Sequence, residues 1–286
     1  MTIHTILIIL LTICAICILI ILADSNRFVV KEYTLYSDKI ARNCTFVILA
    51  DLHNKKYGPN NEKLATQIEA MQPDGVVIAG DMVTSSVGSD RTATEALLER
   101  LAKRFPIYYA NGNHEYKLKV NKEKFGTAYE DYMKKLAKAG IEPLVNACVV
   151  LPQYRMNICG LELERRFFRR FQKEDMPDEW MYNAVGKADK DNFQILIAHN
   201  PEYFPEYAKW GADLVISGHV HGGMARLPIL GGVISPAFRL FPKYDGGLFK
   251  EKESVMILSR GLGMHTIPIR FYNPGELVVL HLSNEK

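Results

Sequence analysis

The sequence predicts an α/β fold, with helices and strands in layers around packed sheets and one membrane-spanning helix in front of them. The chain has 286 residues, of which 48% are hydrophobic and 23% charged, as expected for a large globular domain. This composition excludes collagen, a disordered chain, a low-complexity scaffold and a polytopic membrane protein. Short apolar runs alternate with helical patterns in the first half, and strand patterns dominate the second half. No charged side chain precedes Asp24.

The predicted membrane helix covers residues 1–23. Residues 3–23 are mostly Ile and Leu, and a helix of this length is about 32 Å long, enough to cross a hydrocarbon core. A cleaved signal peptide is the alternative, but the chain lacks a basic segment before the apolar run and an A-x-A site after it. We therefore expect a retained single-span anchor. Basic residues occur only after the span and favour a cytoplasmic domain; they are Arg27, Lys31, Lys39 and Arg42.

The chain after the anchor is expected to fold as one domain, since no repeat and no Pro-, Ser- or Gly-rich linker divides it. Residues 24–43 are predicted to form a short juxtamembrane segment with a first strand at 28–36, and residues 44–286 the domain itself. Hydrophobic periodicity predicts helices at 60–71, 92–103 and 124–139. Further strands are predicted at 44–50, 75–79, 107–110, 156–159, 194–198, 214–217, 254–258 and 277–282.

Charge and cysteine content exclude two further classes. The net charge of +3 is too small to predict nucleic acid as a partner. The five cysteines are odd in number, scattered and without zinc-ribbon spacing, so no disulfide framework is predicted. Cys14 and Cys17 lie within the apolar run and are interpreted as apolar filler rather than as a redox pair.

Residues with metal-binding chemistry follow five of the predicted strands. Ligands in layered α/β folds collect at the carboxyl ends of the strands, so these side chains are expected at one edge. Each residue alone has an ordinary explanation, such as an Asp that forms a turn or a His on the surface. Imidazole and carboxylate ligands together suit Mn, Fe, Zn or Co better than Ca or Mg. The set holds five of the eight histidines and consists of Asp51, His53, Asp81, Asn113, His114, His199, His219 and His221.

In chain order these residues form the motifs D-x-H, G-D, G-N-H-E, H and G-H-x-H, which resemble those of the calcineurin-like metallophosphoesterase superfamily. The C-terminal segments GGMARLP, RGLG and PIRFYNPGELVVL are similar to a bacterial branch with an N-terminal membrane segment, which includes enzymes similar to UDP-2,3-diacylglucosamine hydrolases. The resemblance implies a four-layer α-β-β-α sandwich with two central mixed sheets. Its metal site would lie at the C-terminal ends of the strands.

The resemblance also implies two divalent metal ions, with manganese as the first expectation and Fe, Zn or Co as alternatives. One ion would be held by Asp51, His53 and His221, the other by Asn113, His199 and His219, and Asp81 would bridge both. A hydroxide between the ions would attack phosphorus directly. His114 would stabilise charge or protonate the leaving oxygen, and Glu115 would orient His114 or only cap the following segment.

The implied function is membrane-anchored hydrolysis of a phosphodiester or pyrophosphate, with a small molecule or a lipid-linked envelope precursor as the substrate. A phosphomonoesterase or protein phosphatase, and a catalytically silent membrane-tethered binding module, are the alternatives. The Arg- and Phe-rich residues 165–171 are interpreted either as a surface helix with an inward aromatic face or as a lip that meets anionic headgroups. Four more arginines are candidate phosphate contacts: Arg226, Arg239, Arg260 and Arg270. The oligomeric state is not predicted.

Overall fold

The computed structural model describes residues 2–169, 172–223, 225–227, 231–234, 240–264 and 269–285. The helices are α1 Ile3–Asn26, α2 Glu62–Met71, α3 Thr92–Ala102, α4 Asn113–Val120, α5 Lys122–Phe125, α6 Ala128–Lys138, α7 Asp178–Val185 and α8 Phe204–Trp210. The strands are β1 Phe28–Tyr36, β2 Cys44–Leu49, β3 Gly75–Ala79, β4 Ile107–Ala110, β5 Ala147–Leu151, β6 Met156–Leu161, β7 Phe193–Ala198, β8 Leu214–Ser217, β9 Ala225–Leu227, β10 Gly231–Ile234, β11 Gly247–Glu251, β12 Ser254–Leu258 and β13 Gly275–Ser283. Short 3₁₀ turns occur at Pro59–Asn61, Pro152–Tyr154, Arg165–Phe168 and Pro201–Tyr203.

Two mixed sheets form the centre of the domain. The first has the strand order β1-β13-β2-β3-β4, in which β2, β3 and β4 run parallel and β13 runs antiparallel to β2. The second has the order β11-β12-β8-β7-β6-β5, with parallel strands from β12 to β6 and an antiparallel strand at each edge. β9 and β10 pair separately as a small antiparallel ribbon.

Apolar side chains fill three spaces between the layers. One cluster joins α2, α3 and α6 to the first sheet, through residues such as Leu64, Leu97 and Leu136. A second cluster lies between the two sheets, and a third joins the second sheet to α7 and α8. Strands buried on both faces, such as β3 with the sequence GVVIA, explain why the core runs are continuously hydrophobic. The predicted four-layer α-β-β-α sandwich is therefore confirmed.

Helix α1 is long and apolar enough to cross a membrane, and its most apolar stretch is not buried against the described part of the domain. The helix continues to Asn26, three residues beyond the predicted end of the anchor, because Asp24, Ser25 and Asn26 find polar partners on the domain. Only Arg27 separates α1 from β1. β1 then pairs with β13 along nine residues, so this strand belongs to the first sheet and is not a loose tether.

Helix α1 enters the domain at the edge where the parallel strands end. β13 is antiparallel to β2 and parallel to β1, so β1 and β13 both begin at the edge where β2 ends. The hydrogen bond from the N–H of Glu276, at the start of β13, to the carbonyl of Gly261 joins this edge to the segment after β12. We call this edge of the sandwich the rim.

The predicted helix at 124–139 is two helices. Gly126 ends α5 with a φ of 57° and a ψ of −129°, which breaks the helical hydrogen-bond series before α6 begins. The other predicted elements appear with ends shifted by at most a few residues. The sequence prediction missed several elements that are short or half-exposed and carry weak periodicity: α4, α7, α8, β5, β9, β10 and β11.

No disulfide framework was predicted, but one pair of cysteines, Cys148 and Cys159, forms a disulfide. These residues lie directly opposite each other in the antiparallel pair of β5 and β6. Their eleven-residue separation carries no zinc or disulfide signature, and only the register of the hairpin brings them together. Cys14, Cys17 and Cys44 are free.

Candidate metal centre

The backbone at the rim is unusually constrained. Five of the predicted ligands have positive φ angles, a conformation that non-glycine residues seldom adopt and that clusters at functional sites. Glycines allow the ligand loops to pack closely, because a Cβ at Gly218 or Gly261 would collide with Asp51 and one at Gly112 with Asp81. The five ligands are Asp51, His53, Asp81, His219 and His221.

The first ligand group consists of Asp51, His53 and His221, and the ligand atoms lie within 4.8 Å of one another. The Nε2 atoms of His53 and His221 lie 3.7 and 3.6 Å from the Asp51 Oδ1 atom. His221 Nδ1 is 3.2 Å from the carbonyl oxygen of Gly263, which can act only as a hydrogen-bond acceptor. Nδ1 therefore carries the hydrogen, and Nε2 presents its lone pair to the centre, as a metal-ligating histidine requires.

The second predicted ligand group is Asn113, His199 and His219. His199, His219 and Asp81 place their ligand atoms within 4.8 Å of one another. His199 Nδ1 donates to the carbonyl of Ala79 at 2.6 Å, which turns Nε2 toward Asp81 Oδ2 at 3.1 Å. Asn113 begins α4 beside His114, whose N–H donates to Asp81 Oδ1 at 2.7 Å.

Asp81 lies between the two groups, with Oδ2 3.7 Å from His53 Nε2 and 3.1 Å from His199 Nε2. The donor set fits divalent metal ions of the Mn, Fe, Zn and Co class. Within the described part of the chain, the buried Asn113 Oδ1 accepts no hydrogen bond. Burial alone would lower the pKa of His199. The negative charges of Asp81 and Asp51 outweigh the effect of burial and raise this pKa to about 10. The cavity between the carboxylates therefore favours positive charge.

His114 has the tautomer of a proton donor. The backbone N–H of Ser85 donates to His114 Nδ1 at 2.8 Å, so Nδ1 holds the lone pair. In the neutral ring the hydrogen is then on Nε2, 4.0 Å from Asp81 Oδ2. Burial lowers the pKa of His114, against the effect of Asp81, so the neutral form is favoured. Ser85 fixes this orientation, and no motif in the sequence indicates it.

The hydrogen bonds of Glu115 within the described residues go to groups other than His114, and capping of α4 is only part of what they do. Its buried carboxylate accepts hydrogen bonds from the N–H groups of the Asp81 loop and of Gly112, and from the Tyr109 hydroxyl. Burial and the Asp81 carboxylate raise the pKa of Glu115 to about 7. Glu115 is thus a positioning residue that ties the Asp81 loop to the start of α4.

Two further residues support the first ligand group: Asn273, which the sequence did not indicate, and Arg270, which it indicated only as a phosphate contact. Asn273 Nδ2 donates to the carbonyls of His221 and Gly223, at 2.8 and 2.7 Å, and its N–H donates to Asp24 at the end of α1. Arg270 is 1% exposed and donates to five backbone carbonyls, including that of Gly263.

Three of the four arginines predicted as phosphate contacts have partners within the domain, and the buried Arg270 is not available to a substrate. Arg270 binds carbonyls, Arg260 pairs with Glu276 at 2.6 Å, and Arg226 pairs with Asp245 at 3.1 Å. Arg239 lies outside the described residues. Gly222 packs closely against Asn273 and Arg260, so a Cβ at this position would collide with both side chains.

A cationic pocket of about 630 Å³ borders the second ligand group. Residues 165–168 form a 3₁₀ turn with Phe167 buried, so the predicted surface helix is wrong in type although one aromatic residue packs inward. Phe168 lies against the His219 ring, with centroids 5.1 Å apart. Arg170 and Phe171 lie outside the described residues. The pocket is lined by Asn113, Tyr116, Lys117, Val120, Asn121, Arg165, Arg166, Phe168 and Arg169.

Comparison with known proteins agrees with this site. The profile of the calcineurin-like phosphoesterase family matches residues 44–223, which contain every predicted ligand. The chain therefore belongs to the calcineurin-like phosphoesterase family.

Curated relatives share more than the motif region. An uncharacterized metallophosphoesterase of Helicobacter pylori is 28% identical over 88% of this chain and 63% of its own length. The transmembrane protein with metallophosphoesterase domain of Danio rerio is 30% identical over 81% of this chain and 51% of its own length. The phosphodiesterase YaeI of Escherichia coli is 28% identical over 76% of this chain and 74% of its own length. The chain thus spans between half and two thirds of the length of the relatives from Helicobacter pylori and Danio rerio.

Proposed function

We propose that this protein is a membrane-anchored phosphodiesterase or pyrophosphatase that works with two divalent metal ions. The observation that carries the proposal is the division of the ligands into two groups that share Asp81. Asp51, His53 and His221 would hold one ion, and Asn113, His199 and His219 the other. When bound, such a pair supplies positive charge for the phosphoryl oxygens and lowers the pKa of a water held for direct attack on phosphorus.

The chain's own residues orient this chemistry. Gly263 and Ala79 fix the tautomers of His221 and His199, one in each group. His114 presents Nε2–H toward the space beside Asp81, where a leaving oxygen acquires charge. It would donate that proton to the leaving group or bind the phosphoryl oxygen as charge develops.

The cationic pocket supports a substrate with negative charge beyond the scissile phosphate. Arg166 and Arg169 pair with Glu164 and Glu174, so their charges are partly neutralised. Within the described residues, Lys117 and Arg165 form no ion pair. Their free charges favour a second anionic group, as in a pyrophosphate or a phosphodiester with a charged substituent.

The side of the membrane is proposed from two features that disagree. The four basic residues after α1 favour the cytoplasm, but Arg27 is paired with Asp24 at 2.7 Å, which weakens this small bias. The Cys148–Cys159 disulfide persists in an oxidising compartment and not in the cytosol. We give the disulfide more weight and propose that the domain faces the non-cytoplasmic side.

The activity is tested with the full chain in detergent or nanodiscs. We expect hydrolysis of bis-p-nitrophenyl phosphate after loading with Mn²⁺, and less hydrolysis of p-nitrophenyl phosphate at the same enzyme concentration. Metal analysis should give about two ions per chain. Preference for the monoester would favour a phosphomonoesterase, and two bound ions without turnover of any ester would favour a binding module.

Sidedness is tested by counting reactive thiols in denatured protein from intact cells. With the disulfide formed, a maleimide label should react with three of the five cysteines, and with four in a Cys148→Ser variant. Reaction of all five cysteines in the unchanged chain would place the domain in a reducing compartment.

A further inference from the structure

A small ribbon of exposed apolar side chains flanks the first ligand group. We define this rim ribbon as residues 225–227, 231–234, 240–241 and 269–272. Large apolar side chains in it are strongly exposed, at 67% for Leu240, 61% for Phe241 and 51% for Tyr272. Leu227 and Ile269 are each 41% exposed. Exposed apolar side chains that cluster, unlike scattered single ones, mark a contact surface.

Backbone hydrogen bonds show that these segments lie side by side. The N–H of Arg226 donates to the carbonyl of Phe271 at 3.0 Å, β9 pairs with β10, and the N–H of Phe241 donates to the carbonyl of Val233 at 2.9 Å. Phe241 and Tyr272 both have positive φ, a costly conformation for bulky residues. The fold thus holds two exposed aromatic side chains on strained backbone, which packing within the described part of the domain does not explain.

The rim ribbon is fixed to the end of the membrane helix. The N–H of Arg270 donates to Ser25 Oγ, and the N–H of Asn273 donates to Asp24 Oδ2. Both acceptors lie in the last turn of α1. Residues 269–272 must therefore lie at the level where α1 leaves the bilayer, which is the interfacial zone that suits Tyr and Phe side chains.

The same hydrogen bonds place the metal centre close to that level. Asn273 contacts both Asp24 and the carbonyl of His221, so one residue separates the helix end from the first ligand group. Across the first sheet, β1 is two strands away from β2, or about 10 Å at the usual strand spacing. The rim therefore lies beside the membrane.

We propose that the rim ribbon inserts into the interfacial layer of the bilayer that α1 spans, so that the first ligand group meets phosphoesters at the level of lipid headgroups. The ligand is a lipid surface, and the substrate class is an amphiphilic phosphoester whose apolar part stays in the bilayer. This inference rests on the proposed anchoring and on the proposed phosphoesterase activity. The second ligand group and its cationic pocket would then bind the polar, anionic end of such a substrate.

Insertion is tested directly by tryptophan quenching, without reference to activity. Tyr272→Trp and Phe241→Trp variants of the full chain are reconstituted in vesicles that contain brominated phosphatidylcholine. We expect strong quenching of both new tryptophans above the background of the native Trp180 and Trp210. Tyr182→Trp is the matched control, because Tyr182 is 45% exposed on α7 in the outer helical layer. It should show no added quenching.

Absence of added quenching at both ribbon positions overturns the proposal, and so does equal quenching at Tyr182→Trp. Pairing of the ribbon between two copies of the chain, seen as crosslinking between copies with unquenched tryptophans, also overturns it. Since these readouts need no turnover, an inactive enzyme with quenched ribbon tryptophans refutes the proposed function but not the insertion.

Delivery of the substrate is tested with a Leu240→Ser, Phe241→Ser double variant. We expect about a tenfold increase in the KM for a phosphodiester embedded in vesicles and no change in kcat/KM for soluble bis-p-nitrophenyl phosphate. Val150→Ser is the control, since Val150 is 56% exposed on β5, at the far edge of the second sheet. Equal kinetics for the double variant and the control would show that the ribbon does not deliver substrate.

Discussion

The two ligand groups of the metal centre have different surroundings. The first group, with His221, is connected through Asn273 to the apolar helix α1 and borders an apolar ribbon. The second group, with His199, is fixed by the core strand β3 through Ala79 and borders a cationic pocket. Asp81 joins the two groups at the centre.

This difference indicates how one site can bind a substrate that is apolar at one end and anionic at the other. Similar ligand chemistry on both sides suits a pair of like ions. The flanks differ in polarity, so they can orient a molecule that has an apolar end and an anionic end. Catalysis would depend on the shared centre, and substrate orientation on the contrast between the flanks.

Asp81→Asn should have the largest effect, because it removes the charge that both ligand groups share. We expect more than about a 10⁴-fold loss of turnover, beyond the range of a single general acid–base contribution. Metal analysis should show reduced binding at both positions. Asp175→Asn, a change at an exposed carboxylate, serves as the control. Two tightly bound ions and normal turnover in Asp81→Asn would show that the two ligand groups do not share Asp81.

His114→Ala should separate proton transfer from metal binding. We expect turnover to fall by about 10²–10⁴-fold with metal content unchanged. The loss should be smaller for diesters with very acidic leaving groups, which need no proton. Loss of metal from this variant would instead show that His114 is a metal ligand and not a separate proton donor.

Asn273→Ala should affect the first ligand group alone. The change leaves the buried carbonyls of His221 and Gly223 without their donor, which costs about 1–3 kcal/mol. Supporting residues of metal ligands typically contribute 10–100-fold to affinity, so we expect about that loss for one of the two ions. Isothermal titration with Mn²⁺ would resolve two unequal sites. Equal weakening of both would show that the groups are not independently supported.

Lys117→Gln and Arg165→Gln should have the smallest effects, and only on the side of the second group. We expect each to raise the KM for a pyrophosphate substrate about tenfold, equivalent to about 1.4 kcal/mol. The kcat should be unchanged. Arg169→Gln is the comparison variant, and its effect should be smaller because Glu174 already pairs with Arg169. An equal KM for all three variants and the unchanged chain would show that the pocket does not bind the substrate.

Strong periodic and motif signals made much of the fold predictable. β3, β4 and β8 match the predicted ranges, because continuous apolar runs bounded by Gly, Pro or Asp allow few alternatives. The prediction of one helix at 124–139 was wrong at Gly126, where α5 ends. The sequence did not indicate this break, because a single glycine within a helical pattern is often tolerated. β5 was missed because its residues are mostly exposed, and with it the disulfide partner of Cys159.

The sequence by itself determined the long apolar helix α1, the layered fold and the candidate ligands, because these depend on local hydrophobic pattern and on residue types at strand ends. Only the tertiary structure decided which neighbours act on those ligands. Ser85 sets the tautomer of His114, Glu115 holds the Asp81 loop, and Asn273 joins the rim to α1. Each of these contacts joins segments distant in sequence through one to three hydrogen bonds. Such pairings leave no periodic trace, and they form only when packing of the layers has fixed the backbone positions.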